Sequence, residues 1–549
     1  MKEPSQKVRP QKRFLGKCTD LSHDGLGVVK EGKDVIFAEG MFPNEEGEVE
    51  ISYSRAGALY GRLVKLTKPS EERIEPRCKI CHACGGCSFQ QLSYPAQLLY
   101  KSKKVQECFR RLGHLNVDVK PCVGMDNPYF YRNKIQMPFG KDAKGNVYCG
   151  FYKSSTHVIV PVEKCYIEDE RADHILSVIK SLCKSMKIEP YREDERFGVL
   201  RHVLIRTSYY EKQIMVVLVT AVDSFRSRGN FASALVKACP EITTVVQNIN
   251  SRSTNVILGE KERVLYGKGF IEDSLCGLRF RISPKSFYQT NPVTTEKLYS
   301  YAMDVAKLQP SDVAFDAYSG IGTIGLIAAK RGVKQVISVE LVPAAVKDGI
   351  LNAKRNGIEN FRMYCDDASS FLTKMAENHS PIDVLFMDPP RKGSDERFLK
   401  AVLKMKPSRI VYISCEPATL ARDVAFLSPS YSINTVQPFD MFPMTPHVET
   451  VVSLAQRHIK DSVLVSFTSD ELPITKTEAS ATYQEIQKFI YDKHRIKVST
   501  LDIAQVKEEC GIKKRVNYNK PKSDKYDQPR VTQEKEALIK EALKEFKML

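Results

Sequence analysis

No uninterrupted apolar run in the 549 residues approaches the roughly 18 to 20 that a membrane helix needs, and the opening MKEPSQKVRPQKR lacks the apolar stretch of a secretory leader. A soluble, cytoplasmic protein is the expectation. Acidic excess is also missing: 83 Lys+Arg stand against 66 Asp+Glu, a formal charge of +17 that points to a polyanionic partner. Fifteen cysteines are too few for a disulfide scaffold in a chain of this size, so a cluster of them signals metal or catalysis. With 42% hydrophobic residues the chain is neither disordered nor fibrous. Its length calls for about two to four domains.

From Lys12 to about Leu66, short stretches such as FLGKCTDLS, DVIFAEG and YGRLVKLT alternate with turn signals and read as a small β-barrel. Its scattered Lys and Arg either track a phosphate backbone or form a solvated face. Cys78, Cys81, Cys84 and Cys87 follow, three apart, a spacing that suits an iron–sulfur cluster or zinc. A helix is expected from Tyr94 to about Leu112, with a basic side facing nucleic acid or water. Residues 128 to 280 mix strands and helices. From Pro310 to Arg457 strands and helices alternate, which argues a doubly wound α/β domain with a parallel sheet. The last 90 or so residues turn polar, with helical patterns around KKRVNYNKPKSDKYDQP. Lys513, Lys514, Arg515, Lys520, Lys522 and Lys525 there would add RNA affinity or stay solvated.

Gly320, Gly322 and Gly325 form G-x-G-x-x-G between a strand and a helix. Asp316 ends that strand, and Glu340 closes the next, where an acidic residue can accept hydrogen bonds from ribose hydroxyls. NAD and S-adenosylmethionine (SAM) both carry one. Asp388-Pro389-Pro390-Arg391 ends the fourth strand, and Cys415 the fifth, in ISCEP. A thiol at the carboxyl edge of a parallel sheet, beside a cofactor crevice, reads as a nucleophile. Glu449, in MFPMTPHVE, is flanked by His447 and an apolar run, surroundings that suit a base.

Together SFYQTNP, DAYSGIGTIG, DPPRKG, VYISCEPATLARD and MFPMTPHVETV resemble the RNA (uracil-5-)-methyltransferase family, in order and spacing. The resemblance covers roughly residues 9 to 457. It implies an OB-like RNA-binding TRAM barrel over 9–68, a central domain with an iron–sulfur cluster over 69–280, and a class I SAM-dependent catalytic domain over 281–458. Residues 459–549 form a basic, mainly helical extension. By residue matching, Cys415 would add to carbon 6 of uracil, Glu449 would remove the carbon 5 proton, and Asp388 would hold the uracil edge. Gln289, Tyr318, Gly320, Thr323, Glu340, Asp367 and Asp388 would line the SAM pocket. Cys78, Cys84, Cys87 and Cys165 would hold a 4Fe-4S cluster, leaving Cys81 outside, with zinc the plainer alternative. Arg132 would touch RNA.

Within that family a barrel with cluster cysteines resembles the ribosomal enzymes, which implies 23S ribosomal RNA as the expected substrate and the tRNA T-loop as the next, and a monomer is the expected state. A non-catalytic RNA-binding protein would have no use for a nucleophile and base. Three departures from the family pattern stand out: Glu416 replaces an Asn after the nucleophile, Thr323 an Asn, and Tyr318 a Phe. Glu416 is expected to raise the Cys415 pKa unless Arg391 or Arg422 offsets it.

Overall fold

Five short N-terminal strands with apolar residues on one face can bury that face only by curling on themselves. In the computed structural model, which describes residues 12–153, 156–225, 227–457, 483–510, 531–546 and 549, they do so. β1 (Arg13–Leu21), β2 (Gly27–Glu31), β3 (Asp34–Glu39), β4 (Glu46–Arg55) and β5 (Ala58–Lys68) close a barrel in the order β1-β2-β3-β5-β4. Cys18, Val29, Ile36 and Val49 fill it. Closure this tight needs glycine at Gly61, where a Cβ would stand 2.6 Å from the Glu50 carbonyl oxygen. Two of the expected basic contacts are engaged within the barrel: Arg13 and Arg62 both pair with Glu50.

α1 (Tyr94–Arg111) starts where Ser93 accepts from the Ala96 amide and Pro95 takes the first turn. Two of its lysines do not face nucleic acid or water, as the sequence led one to expect of the basic side. Lys101 is fully buried in an ion pair with Asp440, and Lys104 is buried with its Nζ donating to the Pro446 carbonyl at 3.0 Å.

The central region builds a seven-stranded sheet from β6 (Lys134–Lys141), β7 (Val147–Tyr152), β8 (Ile159–Pro161), β9 (Leu200–Thr207), β10 (Ile214–Thr220), β11 (Ile242–Ile249) and β12 (Lys261–Tyr266). Its order is β12-β11-β10-β9-β6-β7-β8. α2 (Glu170–Ser185) and α3 (Arg228–Ala238) cover a face, and the hairpin β13 (Ile271–Leu275) and β14 (Leu278–Ile282) leads onward.

The catalytic region follows as α4 (Pro292–Ala306), β15 (Val313–Ala317), α5 (Thr323–Lys330), β16 (Gln335–Glu340), α6 (Pro343–Arg355), β17 (Phe361–Cys365) and α7 (Ala368–Glu377). It continues as β18 (Val384–Met387), α8 (Glu396–Met405), β19 (Arg409–Ser414), α9 (Pro417–Leu427), β20 (Tyr431–Phe439) and β21 (Glu449–Gln456). The sheet order is β17-β16-β15-β18-β19-β21-β20, with apolar cores on both faces. The order reverses between β15 and β18, the place where such sheets open a ligand crevice. The parallel sheet expected from sequence needs one amendment, because β21 slots antiparallel between β19 and β20. A loop rather than a helix joins β20 to β21, so the chain turns straight back.

The chain divides into two compact units, Met1–His458 and Ile459–Leu549. In the second, α10 (Tyr483–His494), α11 (Thr500–Glu509) and α12 (Gln533–Glu545) share a core of Ile486, Ile490, Ile503, Val506, Ile539 and Leu543. The basic segment from Lys513 to Lys525 lies outside the described residues. Among those described, no helix is long and apolar enough to cross a membrane.

Candidate active site

β15 ends in a tight turn through Tyr318 (φ +61°), Gly320 (φ +57°) and Gly322 (φ +79°), a left-handed path that glycine takes without cost and Tyr318 takes under strain. Asp316 braces the turn from below: its Oδ2 accepts from the Gly325 amide at 2.9 Å and from Ser338 Oγ at 3.0 Å. A Cβ on Gly325 would press 2.4 Å from Ser338 Oγ, so the third glycine lets α5 seat against the sheet. Glu340, at the end of β16, accepts from the Gly320 amide at 3.0 Å and from the Val342 amide at 2.9 Å. The exposed apolar side chains of Leu341 and Val342 follow it, a surface on which a flat base could lie.

Beside this turn opens a cavity of about 510 Å³. Gln289, Tyr318, Gly320, Thr323, Glu340, Asp388, Cys415 and Glu449 all line it, so eight residues singled out in the sequence meet in one place. The antiparallel strand explains the last pair. Ser414 at the end of β19 is in register with Thr450 near the start of β21, which sets Cys415 and Glu449 at the same sheet edge. Asp367 is not among the lining residues; its Oδ1 accepts from the Ser370 amide at 2.9 Å and caps α7. Tyr288, Thr290, Tyr299, Arg391 and His447 also line the cavity. The sequence flagged Arg391 and His447 by adjacency to motifs, but Tyr299 comes from the second turn of α4, which only the packing of that helix reveals.

Electrostatics set the resting state of these groups. Burial pushes the Cys415 thiol up to about 12, with Glu449 and Asp388 adding to the shift and Arg391 opposing it. Burial also raises Asp388 and Glu449, and the Asp388 charge adds to the rise at Glu449. Arg391 favours the charged form of Glu449. His447 is pushed down to about 4, by burial first and then by Arg391, Lys104 and Lys101, so its ring is neutral. Glu416 does not act as the sequence suggested. Its carboxylate turns to His23 of the barrel, and the acids that raise Cys415 are Glu449 and Asp388.

The profile of the tRNA (uracil-5-)-methyltransferase family matches residues 93–457. The chain belongs to this family. An uncharacterised RNA methyltransferase of Clostridium acetobutylicum is 41% identical over 437 residues, covering 79% of this chain and 95% of that one. One from Halalkalibacterium halodurans is 40% identical over the same shares. Among solved structures, the tRNA (uracil-54, C5)-methyltransferase of Pyrococcus abyssi in complex with S-adenosyl-L-homocysteine superposes with a TM-score of 0.66 at 26% identity, over 80% of this chain and 99% of that one. The protein is therefore a SAM-dependent RNA methyltransferase with a class I catalytic fold.

The cavity of the methyltransferase fits that cofactor. Tyr288 Oη and Thr290 Oγ1 are buried there without a hydrogen-bond partner, ready for polar groups of a ligand. The cysteine segment is different. Cys78, Cys81 and Cys84 add to the burial that raises Cys87, and Cys87 adds to the burial that raises Cys165. Cys87 and Cys165 pack on the same apolar cluster as Tyr131, Ile167 and Met444. The donors are thus of the right type and share a neighbourhood, but among the described residues no three His, Cys, Asp or Glu side chains are arranged to hold a metal ion. Arg132 sits beside this neighbourhood, bridged to the backbone of Glu168, with its Nε donating to the Lys134 carbonyl at 3.0 Å.

Proposed function

We propose that the methyltransferase forms 5-methyluridine in 23S ribosomal RNA through a covalent Cys415–uracil adduct. The observation that carries this reading is the meeting of a thiol, two buried acids and a guanidinium at one sheet edge. Carbon 5 of uracil is a weak nucleophile. Addition of the Cys415 thiolate at carbon 6 turns the ring into an enolate, and Arg391 favours the thiolate that must form. Bound SAM supplies the electrophilic methyl group that carbon 5 takes. Glu449, in its ionised form, then accepts the carbon 5 proton, and the thiolate leaves. Asp388, whose burial favours its protonated form, holds the uracil edge. Gln289, Tyr318, Gly320, Thr323 and Glu340 position the cofactor, and Asp367 is assigned to it by the resemblance alone.

Attack by Cys415 on carbon 6 requires the target uridine to be unstacked and flipped out, which single-stranded or looped RNA allows most easily. The closed N-terminal barrel acts in this reading as a TRAM RNA-binding domain, with Arg132 as a further RNA contact. Cys78, Cys84, Cys87 and Cys165 would hold an iron–sulfur cluster of structural role, and Cys81 would stay outside. Thiol donors and the shared packing of Cys87 with Cys165 support that set. A second reading, methylation of the tRNA T-loop, is favoured by the likeness to the Pyrococcus abyssi enzyme, whose substrate is tRNA uracil 54. Mass-spectrometric mapping of 5-methyluridine in 23S rRNA and tRNA from cells lacking the gene, rescued with wild type or Cys415→Ala, separates the two. An rRNA methyl restored by wild type alone supports the first reading; a restored tRNA methyl replaces it with the second.

A further inference from the structure

The turn between β1 and β2 reaches out of the barrel and seats against the catalytic region. Tyr100 of α1 grips it, its hydroxyl donating to the carbonyls of Ser22 at 2.8 Å and His23 at 3.0 Å. At Gly25 (φ +78°) a Cβ would meet the Phe89 ring at 2.7 Å and Pro446 Cβ at 2.9 Å, so the turn is wedged against the loop that precedes Glu449. This seating delivers His23 to the start of α9. Its Nε2 lies 2.8 Å from Glu416 Oε1 and its Nδ1 3.9 Å from Cys108 Sγ. Glu416 directly follows Cys415 and ties down the loop itself: its amide donates to Ser414 Oγ at 3.1 Å, and its Oε1 accepts from the Ala418 amide at 3.4 Å.

The reaction described above uses neither His23 nor Glu416, yet the exposed His23 is paired with the half-buried Glu416. Lys104 and Cys108 of α1 face the imidazole, Asp20 near the end of β1 is paired with Lys103 of α1, and Asp24 of the turn follows His23 directly. Without a partner, Glu416 would leave a negative charge one residue from a thiol that has to ionise. We infer that His23 is a positioning residue: the barrel supplies the imidazolium that turns the Glu416 carboxylate away from Cys415 and clamps the nucleophile's loop, so that transfer requires a seated barrel. The inference rests on the reading of Cys415 as nucleophile. The contact with Cys108 and then the pair with Glu416 raise His23 to about 9. The raised value gives the sign of the linkage: the clamp is fully present below the ordinary histidine range and is lost as pH rises through about 9.

The test uses the full-length chain, labelled SAM and total RNA from cells lacking the gene, with His23→Ala, His23→Gln, Glu416→Asn and the double variant H23A/E416N. Turnover in His23→Ala should fall about tenfold with the RNA KM within about twofold, and H23A/E416N should recover most of the loss, because no carboxylate is left to restrain. Wild type should also lose rate as pH rises through about 9, a limb that His23→Ala lacks. If His23→Ala folds poorly, His23→Gln and Glu416→Asn carry the same cycle. A raised KM at unchanged turnover would make His23 an RNA contact, and additive losses in the double variant would show that the two side chains do not act as a pair; either result overturns the inference. Should wild type form no 5-methyluridine, or Cys415→Ala retain activity, the catalytic reading itself fails.

Discussion

Cys415 and Cys87 are both buried thiols pushed up to about 12, but different charges surround them. At Cys415 the acids Glu449 and Asp388 add to the rise and the Arg391 guanidinium works against it, whereas at Cys87 the neutral Gln90 side chain works against it and Cys84, Cys78 and Cys81 add to it. A thiol beside a guanidinium can give up its proton alone and take it back within a catalytic cycle. Thiols whose neighbours are thiols repel one another as they ionise, so they become thiolates together only when a cation joins them. The same functional group is thereby suited to attack in one place and to ligation in the other.

The largest effect should break the first half of this contrast. Cys415→Ala should lower single-turnover methyl transfer by about four orders of magnitude or more while SAM binding, read by calorimetry, persists. Glu449→Gln should leave adduct formation possible but block its resolution, and a denaturation-resistant RNA–protein band on a gel would show it; loss of the band would remove Glu449 as the base. Arg391→Met should cost less, about tenfold to a hundredfold at neutral pH. Its rate should recover as pH rises, because removing the one cation that lowers the Cys415 value shifts ionisation to higher pH. An unshifted pH profile would mean that the guanidinium does not serve the thiol. The second half is sharpened by serine replacements in the anaerobically purified chain. Cys87→Ser and Cys165→Ser should each abolish visible absorbance and bound iron, and Cys81→Ser should leave both nearly intact. The reverse pattern at Cys81 and Cys165 would reassign the ligands, and zinc without iron would replace the cluster.

Much of the catalytic site was legible because β15, β16, β18 and β19 are parallel, so residues at successive strand ends are brought to one edge whatever the details of packing. Asp316 is the next-to-last residue of β15, Glu340 ends β16, and Asp388 and Cys415 directly follow β18 and β19. Glu449 was found by resemblance, and its physical reason, the antiparallel insertion of β21, is not written in any local pattern. Partners far apart in the chain were beyond reach for the same reason. Lys101 and Lys104 have the spacing of a solvated helix face, and only Asp440, 339 residues from Lys101, explains the burial of the first. Glu416 lies 393 residues from His23, which is why its charge was assigned to the wrong neighbour. Asp367 illustrates the converse: a strand-end acid that spends its oxygen on a helix cap.

α1 has a consequence for the thermodynamics of substrate capture. Gln97 accepts from the Met444 amide at 3.0 Å, Lys101 pairs with Asp440 and donates to the Phe442 carbonyl at 3.1 Å, and Lys104 holds Pro446. The segment that carries His447 to Glu449 is therefore ordered before any RNA arrives. No loop-folding entropy is charged against binding at this wall of the cavity, and the heat-capacity change on RNA association should track the area buried between protein and RNA rather than a folding transition.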